Sequence, residues 1–334
     1  MKSSFRASTI IAVAIISIAQ LALAGVDDKP TPRILHLSPN VRAASLGYSG
    51  VADWSDAGNI FNNPAAVLGA SHLTLLADRL SPTDSTERYE ITVASRLPMP
   101  KFMEKWFFLA GALGYSAFDF KTQSSLTEQP DPKEGDYYIH GTLGLGLRIW
   151  VLDVGAGLSG KRVTAESTGE NQEFYSWDAG ANVALRVGRT MGFRIIPSVG
   201  VTIPHLGIEA DSLSKPETVR VGARVRIESK GHPRFEAQFG TKAPLFALTV
   251  SADVVQTKEA EDASQVGLGA EISSLDFFAV RVGYRETREG NQLKSFGLGM
   301  GPQLDHWMGR FNIVWTDIDG TDGFGIGGQV GYTW

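Results

Sequence analysis

The last twelve residues, Gly323 to Trp334, read G-F-G-I-G-G-Q-V-G-Y-T-W and alternate between large apolar and small or polar side chains. Because side chains on a β-strand point to opposite faces with period two, one face of this stretch is large and apolar. A membrane-spanning strand needs about 9 to 11 residues, with apolar side chains toward lipid and aromatic ones at the membrane surface. The stretch therefore predicts such a strand, and a soluble edge strand is the alternative.

The chain ends on an aromatic residue, and Tyr332 and Trp334 stand where an interfacial girdle is expected. This ending resembles the terminal signal by which outer-membrane barrels are delivered to the barrel assembly machinery. We assign Tyr332 and Trp334 to an assembly signal, and we expect that machinery and outer-membrane lipid as partners.

Residues 1–24 have the layout of a secretory signal peptide. Two basic residues precede an apolar run from Ile10 to Ala19, and Ala22-Leu23-Ala24 offers a small-residue cleavage site. A retained anchor is the competing interpretation, but the run is short and polar residues follow it. The sequence predicts export through a cleaved signal peptide to the outer membrane of a Gram-negative cell.

The composition narrows the function classes. The chain has 31 Lys and Arg residues and 36 Asp and Glu residues, and removing the two basic residues of 1–24 leaves 29 against 36. That balance argues against nucleic-acid binding through a basic surface. The absence of cysteine fits a closed barrel, which is held by ladder hydrogen bonds rather than disulfides.

Period-two alternation returns at His72 and continues to the end of the chain. It predicts an all-β fold, a transmembrane antiparallel β-barrel of about 14 strands over residues 72–334. The connection at 229–244 is long enough for an additional strand, so 16 strands stay open. The expected strands are 72–80, 87–97, 105–120, 136–150, 153–166, 174–187, 191–204, 217–228, 245–256, 265–273, 276–286, 293–301, 308–317 and the terminal stretch.

Residues 25–71 lack this alternation and carry Pro and Gly throughout. The segment is too apolar for a free tail, and its many backbone polar groups bar it from lipid. We therefore expect it to fold inside the lumen as an N-terminal plug, in which Asp53 and Asp56 pair with inward arginines.

An ordered set of residues crosses this segment: Arg42 with Ala43 and Gly47, then Asp53 and Asp56, then Asn63-Pro64-Ala65. The set resembles the N-terminal segment of the superfamily that holds the FadL long-chain fatty-acid transporters and the PorV/PorQ proteins of type IX secretion. Further blocks resemble the PorV/PorQ branch. They are 216–223, 267–271, 278–284 and 296–299.

The resemblance implies a non-enzymatic barrel without a cofactor, which binds a partner or a secreted protein cargo in secretion or surface attachment. The alternative is a FadL-like passive conduit for a hydrophobic ligand. A general porin is disfavoured, because the plug should obstruct the lumen.

Strand parity places a set of charged side chains inside the barrel. An ion-pair lattice that fills the lumen and fixes the plug is one interpretation, since lipid-facing charges would cost about 2 to 4 kcal/mol at the membrane centre. An arginine ladder for a carboxylate or phosphate is the other. The set contains Arg96, Arg148, Arg186, Arg220, Arg224, Arg226, Arg281, Arg285, Glu90, Asp178, Glu228, Asp253 and Glu271.

Pro197 and Pro204 fall in one expected strand. Because proline cannot donate to a ladder, we expect the wall to bulge or open there. Catalysis has little support: the six histidines form no metal-spaced pair and no nucleophile motif accompanies them, so no metal site is predicted.

Overall fold

Fourteen antiparallel strands close into one barrel in the computed structural model, and each strand pairs with its neighbours in the chain. The structure describes residues 38, 40–83, 86–100, 102–103, 106–120, 135–165, 172–186, 192–206, 218–230, 243–257, 264–286, 292–302 and 306–333. The strands are β1 (Leu73–Thr83), β2 (Thr86–Arg96), β3 (Phe107–Phe120), β4 (Gly135–Ile149), β5 (Leu152–Ala165), β6 (Gln172–Leu185), β7 (Phe193–Leu206), β8 (Thr218–Ser229), β9 (Ala247–Thr257), β10 (Ser264–Ser274), β11 (Phe278–Glu286), β12 (Gln292–Met300), β13 (Trp307–Ile318) and β14 (Thr321–Tyr332).

The predicted fold class is confirmed, and every expected strand is present with its ends shifted by a few residues. The first and last strands close the ring, from Leu73 opposite Tyr332 to Ser81 opposite Phe324. β8 pairs directly with β9, so no additional strand enters the wall between them and the alternative of 16 strands is wrong. Residues 231–242, within the long connection between these two strands, lie outside the described residues.

The outer surface is apolar and carries aromatic residues toward both ends of the strands. This arrangement, with apolar side chains between two girdles, is that of a transmembrane barrel. The girdle near the termini contains Trp106, Trp150, Phe193, Phe246, Phe278 and Trp307. The girdle toward the far end contains Tyr115, Tyr175, Trp177, Phe296, Trp315 and Phe324. Below, "terminal end" means the end where β1 begins and β14 ends, and "far end" means the opposite one.

Two details of the wall differ from the sequence prediction. The strands extend into the connections expected at 81–86 and 318–322: β1 ends at Thr83 and β2 begins at Thr86, while β13 and β14 leave a two-residue turn at 319–320. Val219, expected to face outward, is buried. It lies next to Arg220, whose pairing with Thr202 is the last between β7 and β8, so the regular alternation ends there.

Among the described residues, no helix is both long and apolar enough to cross a membrane. The helical elements are short and lie in the N-terminal segment: α1 (Val41–Ser45) and the 3₁₀ helices η1 (Ala57–Phe61) and η2 (Pro64–Gly69). Each begins at a side-chain cap, because Asn40, Asp56 and Asn63 accept hydrogen bonds from the first backbone N–H groups.

The N-terminal segment fills the lumen as the predicted plug. It follows the inner wall around the ring: η2 packs on β2 to β6, residues 47–53 face β7 to β11, and α1 packs on β11 to β14 and β1. The plug therefore contacts all 14 strands. Residues 25–37 of the predicted plug and the predicted signal peptide lie outside the described residues.

Glycines on the inner face of the wall allow this close approach. A Cβ at Gly157 would lie 2.4 Å from the backbone carbonyl carbon of Pro64, and a Cβ at Gly283 would lie 2.1 Å from the Gly47 nitrogen. The polar face of the strands is therefore small because it seats the plug. Other wall glycines with a plug atom inside 3 Å of the added Cβ are Gly144, Gly155, Gly180, Gly200, Gly222, Gly267, Gly269, Gly297 and Gly331.

The last strand, β14, closes the barrel by pairing with β1, and its aromatic end is expected to be needed for assembly. Tyr332 packs on Trp307 with ring centres 4.7 Å apart, and β14 pairs with both β13 and β1. Trp334 lies outside the described residues. We expect Trp334→Asp to reduce the membrane yield, and the fraction of protein with heat-modifiable gel mobility, at least several-fold. Trp150→Asp, at an exposed aromatic in a turn, is the control. Unchanged assembly of the Trp334 variant would contradict the assembly-signal assignment.

Candidate functional site

Arg42 is the centre of a buried charge network between the plug and the wall. Its guanidinium lies 2.7 Å from an Asp53 oxygen and 3.2 Å from an Asp56 oxygen. Its Nε and Nη2 donate to the two Glu271 oxygens at 3.2 and 3.3 Å. This two-pronged geometry is the one that guanidinium groups adopt with carboxylates. One plug residue thus joins both plug aspartates to β10.

Three further arginines extend the network along the wall. Arg224 lies 2.7 Å from Asp53, Arg281 lies 2.6 Å from Glu271, and Arg310 lies 3.9 Å from Asp56. Arg281 also donates to the side-chain oxygen of Asn312 at 2.9 Å. The network is a fixed lattice rather than a row of free cations, because each of these guanidinium groups lies within ion-pair distance of a carboxylate.

The two plug residues Arg42 and Asp53 stay charged over a wide pH range. Burial alone would lower the pKa of Arg42, but Glu271, Asp53 and Asp56 raise it above its usual value. Burial alone would raise the pKa of Asp53, but Arg224, Arg42 and the Ser55 hydroxyl lower it well below its usual value. The stabilisation from Asp53 is therefore present above the usual Asp pKa of about 3.9, and is lost only as the pH falls through the lowered value.

Backbone groups of the plug are also bound by wall carboxylates. Asp253 accepts hydrogen bonds from the N–H groups of Gly50 and Val51 at 2.7 and 2.9 Å. Asp78 accepts from the Asn40 side chain at 3.0 Å and from the Val41 N–H at 3.4 Å. These contacts satisfy plug N–H groups that have no strand or helix partner.

The Asn-Pro-Ala motif is a docking turn. Asn63 accepts from the Ala65 N–H at 3.0 Å and donates to the Val51 carbonyl at 2.8 Å. Its amide is also within 3.2 Å of the Ala181 carbonyl on β6. Pro64 and Ala65 are buried against Gly157. The motif therefore fixes the plug to β5 and β6.

The sequence analysis missed several inward groups on the side of the plug toward the far end. Lys161, which was missed, lies 2.5 Å from the predicted Asp178, and Thr92, also missed, links the predicted Glu90 to His140 at 2.9 and 3.2 Å. Arg88 is fully buried and lies 5.2 Å from the centre of the Phe118 ring. Strand parity, applied to Asp78, Arg88 and Lys161, would have placed all three inside.

Four other predicted arginines lie at the rim of the terminal end, whereas Arg220 and Arg285 lie close to the far end. Arg148 and Arg186 share Asp153 at 3.0 and 3.1 Å, with 40 and 30% of their side chains exposed. Arg96 and Arg148 both lie over the Phe108 ring, and Arg226 bridges Glu228 and Asp276. These groups face inward but do not reach the plug network.

The wall is irregular at one of the two predicted prolines. Pro197 stays in the ladder with Val225 of β8, and its missing N–H is tolerated because pairing with β6 begins one residue later, at Ser198. Around Pro204 the register with β6 shifts, and pairing with β8 stops at Thr202. His205 adopts φ 61° and donates its N–H to Asp178 at 2.9 Å. The wall bulges there, and a lateral opening stays a prediction.

The described part of the chain contains no group of three or more His, Asp and Glu side chains placed to hold a metal ion. What the site can do chemically is fix the plug to the wall through ion pairs and hydrogen bonds.

No protein-family model matches the chain. No curated protein matches it either. Among solved structures, it is similar to the toluene transporter TodX of Pseudomonas putida, at 8% identity, with 86% of this chain and 96% of that one covered and a TM-score of 0.47. It is also similar to the CymD monoaromatic hydrocarbon channel, at 12% identity, 90 and 97% coverage and a TM-score of 0.43. The outer membrane protein Omp33 of Acinetobacter baumannii matches at 11% identity, 79 and 98% coverage and a TM-score of 0.43.

Proposed function

We propose that this chain is a non-enzymatic outer-membrane barrel of PorV/PorQ type, whose plug and rims hold a secreted or surface-attached partner protein. The observation that carries this proposal is the contact of the plug with all 14 strands. Such a plug blocks a wide aqueous channel, which argues against a general porin. A barrel closed in this way offers two stable faces, one toward each side of the membrane, on which another protein can dock.

A second candidate is a FadL-like conduit for hydrophobic small molecules. It is favoured by the bulge at Pro204, where β7 leaves the ladder with β8 after Thr202. A hydrophobic ligand that entered the lumen from the far end would leave sideways into the membrane at this point.

The test compares the full-length barrel with a variant lacking residues 34–66. Both are extracted with mild detergent, and co-purifying proteins and bound small molecules are identified. We expect one exported protein to be retained by the full-length barrel and lost with the deletion. Heat-modifiable mobility verifies that the truncated barrel assembles, and its ion conductance should rise because the lumen is emptied.

A bound hydrophobic molecule in place of a protein would favour the conduit. A partner that remains on the truncated barrel would contradict the assignment of the plug as the holding element, and unchanged conductance would contradict the closure of the lumen.

A further inference from the structure

Two buried arginines differ from those in the plug network. Arg220 and Arg285 lie on β8 and β11 close to the far end, and each keeps less than a tenth of its surface exposed. Within the part of the chain that the structure describes, neither has a carboxylate at ion-pair distance. Arg42, Arg224 and Arg281 all have such partners.

The polar groups around the pair have unused hydrogen-bonding capacity. The Nε of Arg220, the hydroxyl of Tyr48 and one oxygen of Asp253 are buried without a partner in the described structure. Arg285 donates to the Gln265 side-chain oxygen at 2.6 Å, and its guanidinium carbon lies 5.5 Å from the Tyr48 ring centre. Buried polar atoms without partners cost free energy, so a bound group that supplies acceptors to the Arg220 Nε and the Tyr48 hydroxyl would stabilise this region. The Asp253 oxygen needs a donor instead, such as the hydroxyl of a hydrogen phosphate ion.

The charges near the pair do not cancel. Arg220 and Arg285 repel each other, and both interact electrostatically with Asp253, whose other oxygen is occupied by two plug N–H groups. Arg220 also interacts electrostatically with Asp178, but Lys161 already pairs with that carboxylate at 2.5 Å. Asp253 is thus shared between the two guanidinium groups. A second negative charge would relieve the repulsion.

Tyr48 is held in position by the plug backbone. It adopts φ 58°, in the left-handed region, directly after Gly47 at φ 62°, and Gly47 packs against the Tyr284 backbone. Residues other than glycine, aspartate and asparagine seldom occupy this region, because the conformation is unfavourable for them. The surrounding contacts hold Tyr48 in it, and this places the phenol beside Arg285.

We propose that Arg220, Arg285 and Tyr48 form a binding site for an oxyanion, a carboxylate or a phosphate group, on the side of the plug toward the far end. Guanidinium groups match both anions through paired N–H donors, and the tyrosine hydroxyl adds one more donor. The site uses residues outside the Arg42 network, and it stands apart from the partner-barrel proposal.

Titration of the refolded full-length barrel with inorganic phosphate, and separately with propionate, tests the site. Binding is measured by calorimetry against chloride at matched ionic strength. We expect saturable binding of at least one of the two oxyanions, weakened at least tenfold by Arg220→Gln and by Arg285→Gln. The anion that binds more tightly identifies the chemistry of the ligand.

Arg162→Gln is the matched control, because Arg162 forms an exposed ion pair with Glu173 near the same end. Heat-modifiable mobility shows that each variant is folded, and Tyr48→Phe separates the hydroxyl from the two charges. Equal affinities in Arg220→Gln and Arg162→Gln would overturn the proposal. Absence of saturable oxyanion binding to the full-length barrel would also overturn it.

Discussion

Replacing Arg42 with methionine should release the plug from an otherwise intact barrel. The change leaves Asp53, Asp56 and Glu271 buried around an apolar side chain, and removing one partner of a buried ion pair typically costs about 3 to 5 kcal/mol. The strand ladders do not depend on Arg42, so the barrel should still assemble. We expect residues 40–65 to become protease-sensitive in intact membranes and ion conductance to rise.

Two further variants sharpen this prediction. Without Arg42, Asp53 keeps Arg224 and Glu271 keeps Arg281, but Asp56 is left with Arg310 at 3.9 Å. Adding Asp56→Asn to Arg42→Met removes that carboxylate and should recover part of the lost protection. Arg162→Met, which breaks an exposed pair at the rim, should change neither protease sensitivity nor conductance, since exposed pairs contribute about 0 to 1 kcal/mol. A plug that stays resistant in Arg42→Met would show that packing alone holds it.

Replacing Gly157 with valine should push the plug away from β5, on the opposite side of the lumen from the contact between Arg42 and β10. The added Cβ would lie 2.4 Å from the Pro64 carbonyl carbon and 2.5 Å from the Ala65 nitrogen. Both are backbone atoms held by Asn63, so the plug must move as a unit rather than rotate a side chain away. Overpacking of this kind costs about 1 to 3 kcal/mol or more. The same protease and conductance measurements should show partial release.

Gly111→Val is the matched control for the wall itself. A Cβ at Gly111 would meet the Leu143 side chain at 3.4 Å, an ordinary contact. Both substitutions put a branched residue in place of a strand glycine, so a difference between them reports plug seating rather than strand propensity. Equal behaviour of the two variants would mean that Gly157 does not seat the plug.

The strands and the direction of their side chains were predictable from the sequence because lipid and lumen impose opposite polarities on alternate residues. The prediction fails at Val219, which is buried although it was expected to face lipid. The ladder between β7 and β8 ends beside it, so alternate side chains no longer face lipid and lumen in turn. Lys161 and Arg88, absent from the predicted set, follow the same alternation and are buried inside the barrel.

The partners inside the lumen were not predictable in the same way. Arg42 and Glu271 are 229 residues apart, and their meeting depends on the register of all the strands between β10 and the plug. The sequence pattern shows only that a carboxylate faces the lumen. Any inward carboxylate at the same level along the barrel axis would therefore be an equally good predicted partner for Arg42. The effect of the prolines was equally hidden, since Pro197 and Pro204 differ in where the ladder to β6 begins and shifts and where the ladder to β8 ends.

The path of the plug around the whole ring also constrains the order of assembly. The plug precedes the barrel in the chain, yet its seat is divided among strands from β1 to β14, so no half of the wall can hold it alone. Contacts this distant in sequence form late and make folding slow, because long loops must close before they contribute. The plug therefore reaches its final position only when the wall is complete, whereas the wall closes through its own strand ladders.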